Sequence, residues 1–387
     1  MIFDKSTASF PTKDRMIFLA HCGISPIYKN AAERAVELIR EQQWNGATTF
    51  MSYYGPELQN FKEAFAGLMQ TGADNIAAVR NTSEALSMVA NGYPFEPGDE
   101  VISFVHEYPA NHYPWRLQER RGVVLKLLPN IPARPDIDPA MVGKWTLEEL
   151  ERQITPRTKV IAVSHTQFTS GFAVNIQKLG ALCEERGIDL VVDAAQSLGS
   201  MPVFPEEYNI AALASAGWKW LMGPFGVGVF YTSPAFREKI ALTQIGAETM
   251  QQGMDFLDHN WNPHPTARRF EYSSSSITHV AALATCVREL HAHYGAENIY
   301  REIIRLQDIF LSELNNPAFK PLVFDPENRS GILSVYCEEW EAFAEVLAAH
   351  KIVCALRSGF IRVAPHFYNT EADMRKLARV MNEMKTA

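Results

Sequence analysis

Apolar positions along the first two thirds of the chain fall into two alternating kinds of pattern. Ala31–Gln43 repeats with helical period, Ala35, Leu38 and Ile39 marking one face. Glu57–Met69 does the same through Leu58, Phe61, Phe65 and Leu68, and Glu84–Asn91 and Gln177–Arg186 are further helices of this kind. Between and beyond them lie short apolar runs: Ile76–Val79, Glu100–Val105, Val123–Leu127, Lys159–Ser164, Asp189–Val192, Ala211–Ser215 and Gly226–Tyr231. Most of these are nearly continuous rather than alternating, which predicts strands buried on both faces of a mainly parallel sheet. Such a sheet, flanked by helices, makes an α/β domain whose ligand groups gather at the carboxyl ends of the strands.

Past Ser276 the pattern changes. Ile277–Tyr294 and Ile299–Leu314 predict long helices, followed by a strand at Ile332–Tyr336, a helix at Glu338–His350, a strand near Phe360–Val363 and a last helix at Glu371–Met384. This is a smaller α+β unit, to which the N-terminal arm is expected to add. The expected division is a large domain over residues 24–286 and a small one made of residues 1–23 and 287–387. Pro129–Pro139 is Pro-rich and reads as a surface loop.

Composition narrows the partners. A net charge of −8 leaves no basic surface for nucleic acid, Arg120–Arg121 and Arg268–Arg269 being isolated pairs. Five scattered cysteines, none in a C-x-x-C spacing, fit neither a disulfide framework nor a zinc site, so no metal is expected and a cytoplasmic location is. No run approaches the ~18 apolar residues of a membrane span.

The chemistry centres on VVDAAQSLG and SAGWKWLMGPFGVGVFY. Asp193 ends an apolar strand, and Lys219 lies in a small-residue loop between two strands. Pyridoxal 5'-phosphate asks for two such groups: a lysine that forms an imine with it and a carboxylate that keeps its ring nitrogen protonated. Gln196, one turn past Asp193, is placed to reach the ring hydroxyl. Taken singly, the aspartate also reads as a helix cap and the lysine as a surface charge. GPFGVG is not a nucleotide loop, because it lacks the Gly-Lys-Ser/Thr ending and precedes a strand.

With their flanks, these segments resemble the class V aminotransferase superfamily of fold type I pyridoxal-phosphate enzymes, which includes cysteine desulfurases, selenocysteine lyases, isopenicillin N epimerase and kynureninase. The similarity runs from about Phe18 to Tyr368. It implies the fold type I architecture, with Lys219 as the Schiff-base and catalytic residue and Asp193 as partner of the ring nitrogen. RNTSEALSMVANGY then corresponds to the phosphate-binding turn, with Thr82 and Ser83 holding the dianion at a helix start. HEYPANHYPW places Tyr108 where desulfurases stack a histidine on the cofactor. In VSHTQFTSGF the cofactor-oxygen contact falls on Gln167 or Phe168, with Gln167 preferred, and His165 reads as a hydrogen-bonded structural histidine. Trp218 replaces the histidine that usually precedes the lysine, its indole N–H remaining a donor for phosphate, and Ala216 replaces another phosphate contact. Ser274, in RRFEYSSSS, corresponds to a residue that reaches phosphate in a neighbouring subunit, which implies a homodimer with composite sites. Arg362, aided by Arg357, corresponds to the arginine that binds the substrate α-carboxylate.

The resemblance also bears on the reaction. In the desulfurases the sulfur-accepting cysteine occupies a loop between the positions of Arg357 and Arg362. Here only Ser358, Gly359, Phe360 and Ile361 intervene, and Cys354 falls in an apolar run that reads as core. The expectation is an aminotransferase-like enzyme acting on a small amino acid, Lys219 abstracting the Cα proton. The alternatives are a cysteine or selenocysteine β-lyase without a persulfide cysteine, a cofactor-binding protein without turnover, and a nucleotide-binding α/β protein.

Overall fold

The computed structural model describes residues 1–137 and 142–384. Its strands in chain order are β1 (Ile17–Leu19), β2 (Ile76–Val79), β3 (Glu100–Phe104), β4 (Val124–Leu128), β5 (Ile131–Pro132), β6 (Gly143–Lys144), β7 (Thr158–Ser164), β8 (Asp189–Asp193), β9 (Ala212–Ala216), β10 (Gly228–Thr232), β11 (Lys320–Pro321), β12 (Leu333–Tyr336), β13 (Ile352–Arg357) and β14 (Phe360–Val363). Seven of them form the main sheet in the order β2-β10-β9-β8-β7-β3-β4. All neighbours in it are parallel except those of β10, which runs against both β2 and β9.

The continuous apolar runs have a direct cause. On β7, Ile161 and Val163 enter one hydrophobic core while Val160 and Ala162 enter the core on the opposite face. β8 divides in the same way, Leu190 and Val192 against Val191. A strand sandwiched between two apolar layers has no polar face to alternate with.

The second sheet has the order β1-β13-β14-β12-β11. Leu19, Val335, Ile361 and Val363 from it meet Phe310 of helix Ala296–Glu313 and Leu377 and Met381 of helix Glu371–Glu383 in a separate core. Three strands here, β1, β11 and β13, escape the periodicity reading. β1 has only three residues and is defined by its pairing with β13, with Leu19 opposite Cys354.

Two helices also differ from expectation. The second begins at Ala47 rather than Glu57, because Pro56 sits inside the helix Ala47–Met69 instead of opening it. The segment from Ile277 is α-helical only to Cys286 and continues as a π-helix over Val287–Ala292. Of the Pro-rich loop, Pro129–Ile137 is described and includes β5; Asp138 and Pro139 lie outside the described residues.

Candidate active site

Three parallel neighbours, β3, β7 and β8, present their carboxyl ends side by side, and the residues that follow them or end them converge. β8 delivers Asp193 directly, β7 leads through Ser164 to Gln167, β3 leads to Glu107 and Tyr108, and β9 leads to Lys219. The lysine loop is held by close backbone approaches. Gly217 N–H donates to Val227 O at 2.9 Å and Gly223 N–H to Gly217 O at 2.8 Å. A Cβ on Gly217 would come within 2.6 Å of Leu283 Cδ2 and 2.9 Å of Val227 O, so the position admits only glycine without rearrangement.

Lys219 is half-buried, and its Nζ lies 5.3 Å from the centre of the Tyr108 ring. Burial lowers the pKa of its ammonium, while Asp193 raises it. The carboxylate of Asp193 is buried and accepts from Ala195 N–H at 2.9 Å. Burial raises its pKa, and Lys219 opposes that rise. The two groups therefore stand in mutual electrostatic reach in a desolvated site, the amine eased toward its neutral, nucleophilic form.

Around this pair the expected residues fall as follows. Tyr108 presents its face to the amine and meets Phe168 edge-on at 5.2 Å. Gln196 is already engaged: its Nε2 donates to Cys22 O at 2.8 Å and its Oε1 accepts from Trp220 Nε1 at 3.0 Å, which leaves one amide hydrogen for another partner. Trp218 is half-buried beside Phe225, with ring centres 5.8 Å apart. Gln167 is buried, with Nε2 donating to Glu107 Oε1 at 2.8 Å and Oε1 without a partner. His165 is buried, but its Nδ1 has no hydrogen-bond partner, and burial pulls its pKa down to about 4. It is a neutral core histidine, less well satisfied than expected.

Thr82 and Ser83 open the helix Thr82–Gly92. The N-cap Asn81 takes only Glu84 N–H, which leaves the first-turn N–H groups of Thr82 and Ser83 uncapped by it. The Thr82 hydroxyl is buried and also lacks a partner. Ser274 is exposed and lines a cavity of about 360 Å³ together with Arg80, Glu84 and Tyr272.

Arg362 is buried on β14. Its Nη1 donates to Phe168 O at 2.7 Å, and its Nε has no partner. Arg357 is exposed at the end of β13, with its guanidinium 5.3 Å from the Phe168 ring centre. Neither arginine pairs with a carboxylate among the described residues. Both influence Lys219 and Cys22 electrostatically, which places them at the same site. The segment between them is a tight hairpin: Arg357 pairs with Phe360 across the two residues Ser358 and Gly359, whose φ values are +50° and +84°. Cys354 lies on β13, and burial raises its thiol pKa; Cys22 is likewise raised by burial.

Sequence reasoning missed one buried member of the site. Glu107 touches Ser164, Gln167 and Asn111 and carries a pKa pushed up to about 7, chiefly by burial. A carboxylate in the polar turn HEYP gives no sign of burial; only the apposition of β3 and β7 reveals it.

The doubly layered sheet with this strand-end cluster is that of an α/β enzyme fold. The chain belongs to the class-V aminotransferase family, whose model matches residues 20–380. It is 28% identical over 344 residues to a probable cysteine desulfurase of Pyrococcus abyssi, covering 84% of this chain and 82% of that one. It is 25% identical over 375 residues to the uncharacterized aminotransferase YcbU of Bacillus subtilis, covering 95% and 94%. Among solved structures, the cystine C-S lyase C-DES in complex with its product cysteine persulfide superposes with a TM-score of 0.87 at 21% identity, over 97% of this chain and 100% of that one. The apo cysteine desulfurase of Thermococcus onnurineus gives 0.84 at 22% identity, over 97% and 96%. A lysine-to-alanine mutant of C-DES with glycine covalently linked to its PLP cofactor gives 0.88 at 20% identity, over 98% and 100%. At these identities the structures establish the shared fold.

Proposed function

We propose that this chain is a pyridoxal-phosphate enzyme acting on a small amino acid, with aminotransferase-like chemistry. The observation that carries the reading is the desolvated Lys219–Asp193 pair, its amine against the face of the Tyr108 ring, with two arginines without carboxylate partners in electrostatic reach. The residues present fit the cofactor. The unpartnered Thr82 hydroxyl and the uncapped N–H groups of Thr82 and Ser83 suit a phosphate dianion at a helix start. Lys219 would hold the cofactor covalently, Asp193 would face its ring nitrogen, Tyr108 would cover the ring, Gln167, Gln196 and Trp218 would add polar contacts, and Ser274, which lines a separate cavity with Arg80 and Tyr272, would reach the phosphate of a second copy's site. When bound, the cofactor supplies an electron sink for a negative charge developing at the substrate Cα.

The chain's own residues do the rest. The fork of Arg362 receives the α-carboxylate, with Arg357 adding positive charge at the mouth. Desolvation keeps the released Lys219 amine neutral enough to accept the Cα proton at Nζ. Tyr108 and Phe168, packed edge-on, form an aromatic wall beside the amine.

A second reading, cysteine or selenocysteine β-lyase chemistry, has its own support: the fold likeness to C-DES, described as a cystine C-S lyase, together with the two-residue Ser358–Gly359 turn. That turn leaves no arm on which a cysteine could swing to take up sulfur. We also propose a homodimer, supported by the large exposed apolar side chains of Trp44, Met51, Leu257 and Trp261, and a small domain of residues 1–23 and 287–387 set against residues 24–286, supported by the second sheet.

A single-turnover screen of amino acids over the loaded protein separates the readings. Accumulation of the aminated cofactor supports transamination. Release of sulfide or pyruvate from cysteine supports the lyase. A stoichiometric protein-bound persulfide would overturn both.

A further inference from the structure

Glu107 sits where three strand ends meet, between Tyr108 on one side and the Ser164 and Asp193 ends of β7 and β8 on the other. Its carboxyl is buried, and four donors surround its two oxygens. Oε1 accepts from Ser164 N–H at 2.8 Å and from Gln167 Nε2 at 2.8 Å; Oε2 accepts from the Ser164 hydroxyl and from Asn111 Nδ2 at 3.3 Å. Asn111 is itself oriented by Trp115, whose Nε1 donates to Asn111 Oδ1 at 3.0 Å. When ionised, Glu107 can only accept, and it takes the nitrogen end of the Gln167 amide, leaving the oxygen end buried with nothing to accept from. An orphaned buried acceptor is costly to the fold, so a donor that arrives there is bound with corresponding advantage.

We propose that Glu107 is a positioning residue: it fixes which end of the Gln167 amide faces the cofactor space, so that Gln167 serves there as a hydrogen-bond acceptor. The proposal rests on the cofactor reading above. Gln167 in this orientation selects a protonated oxygen or nitrogen on the group it meets. Its opposite orientation would set two acceptors, Gln167 Oε1 and the Glu107 carboxylate, against each other. Glu107 also stands within electrostatic reach of Asp193, the titratable group facing it from β8, so the charge of one is felt by the other. Burial pushes the Glu107 pKa up to about 7, which makes the arrangement sensitive to pH in the neutral range.

The test is a double-variant cycle read on cofactor affinity, by quenching of tryptophan fluorescence, together with thermal unfolding of the cofactor-free protein. Glu107→Gln keeps the shape of the side chain and removes its charge. It is expected to weaken cofactor binding by about three- to tenfold and to flatten the pH dependence of that affinity between pH 6 and 8. Gln167→Leu removes the amide, and in that background Glu107→Gln should change affinity less than twofold, because Glu107 acts through the amide. In the cofactor-free protein, a carboxyl whose pKa is raised on folding contributes stability below its unfolded pKa and loses it as pH rises through about 7. The wild-type Tm should therefore fall relative to Glu107→Gln between about pH 4.5 and 7. Equal losses from Glu107→Gln in both backgrounds would show a structural tie only and overturn the proposal. A chain that takes up no pyridoxal phosphate at all would instead remove the reading on which the proposal rests.

Discussion

The two arginines carry the most specific expectations at the scale of single residues. Arg362 has a free Nε, no carboxylate partner among the described residues and a backbone carbonyl on Nη1. Removing it should raise KM for α-amino acids by on the order of tenfold to a hundredfold, the loss of a charge-assisted bond, while cofactor retention changes little. Steady-state kinetics beside equilibrium dialysis of the cofactor checks both halves; a variant that sheds cofactor while keeping its KM would reassign Arg362. Much of this residue-level picture is readable from the chain, because Asp193 ends a strand and Lys219 lies in a loop between strands, where periodicity breaks off, whereas Arg362, inside β14, is legible only through the family resemblance. Glu107 and the orphaned ends of Gln167 and Thr82 are not readable, since burial and hydrogen-bond satisfaction are set by strands about sixty residues apart in sequence meeting in the sheet. Gln196 shows the opposite limit: its type and spacing suit the cofactor, yet the fold has spent most of its amide on Cys22 and Trp220.

At the scale of elements, the helix Thr82–Gly92 makes a separable prediction. Its Thr82 hydroxyl is unsatisfied and buried in the cofactor-free chain, so Thr82→Val should leave the Tm of that form unchanged or slightly raised, yet weaken cofactor binding by roughly tenfold. Calorimetry of the empty and loaded forms distinguishes this from a capping role, in which both forms would lose stability. The lysine loop predicts differently. Gly217→Ala forces a Cβ against Leu283 and Val227 O and should cost roughly 1–3 kcal/mol, together with a misplaced Lys219. Element prediction from pattern succeeds for β7 and β8 because two apolar layers impose continuous runs on them. It fails for β1 because three residues carry no period, and for β13 because its residues are half-exposed along most of their length. It also misjudges Pro56, which local rules make a boundary and which the packed helix Ala47–Met69 absorbs.

At the scale of the molecule, the two sheets meet through aromatic and imidazole rings. His21 after β1, His366 after β14 and His291 on the π-helical turn cluster with Trp220, which follows Lys219; His366 lies 5.2 Å from His21 and 5.9 Å from His291. Burial pulls the pKa of His21 and of His291 down to about 4 and that of His366 well below its ordinary value. The folded protein keeps these rings neutral while the unfolded chain takes up protons below about 6.5, so stability falls as pH drops from there toward 4. The loss is on the order of 2–3 kcal/mol for each fully shifted ring. Thermal unfolding followed from pH 7 to 4.5 should show it, and His291→Phe should reduce the slope; an unchanged slope would place the acid sensitivity elsewhere. Among the described residues no helix is long and apolar enough to cross a membrane, and no cluster of three or more His, Cys, Asp or Glu is placed to hold a metal.

The central claim is a covalent attachment, and one measurement addresses it directly: borohydride reduction of the protein loaded with pyridoxal phosphate, followed by digestion and mass mapping. The account predicts a pyridoxyl group on Lys219 at close to one per chain, abolished in Lys219→Ala. A label spread over surface lysines, or fixed on a different residue, would contradict it.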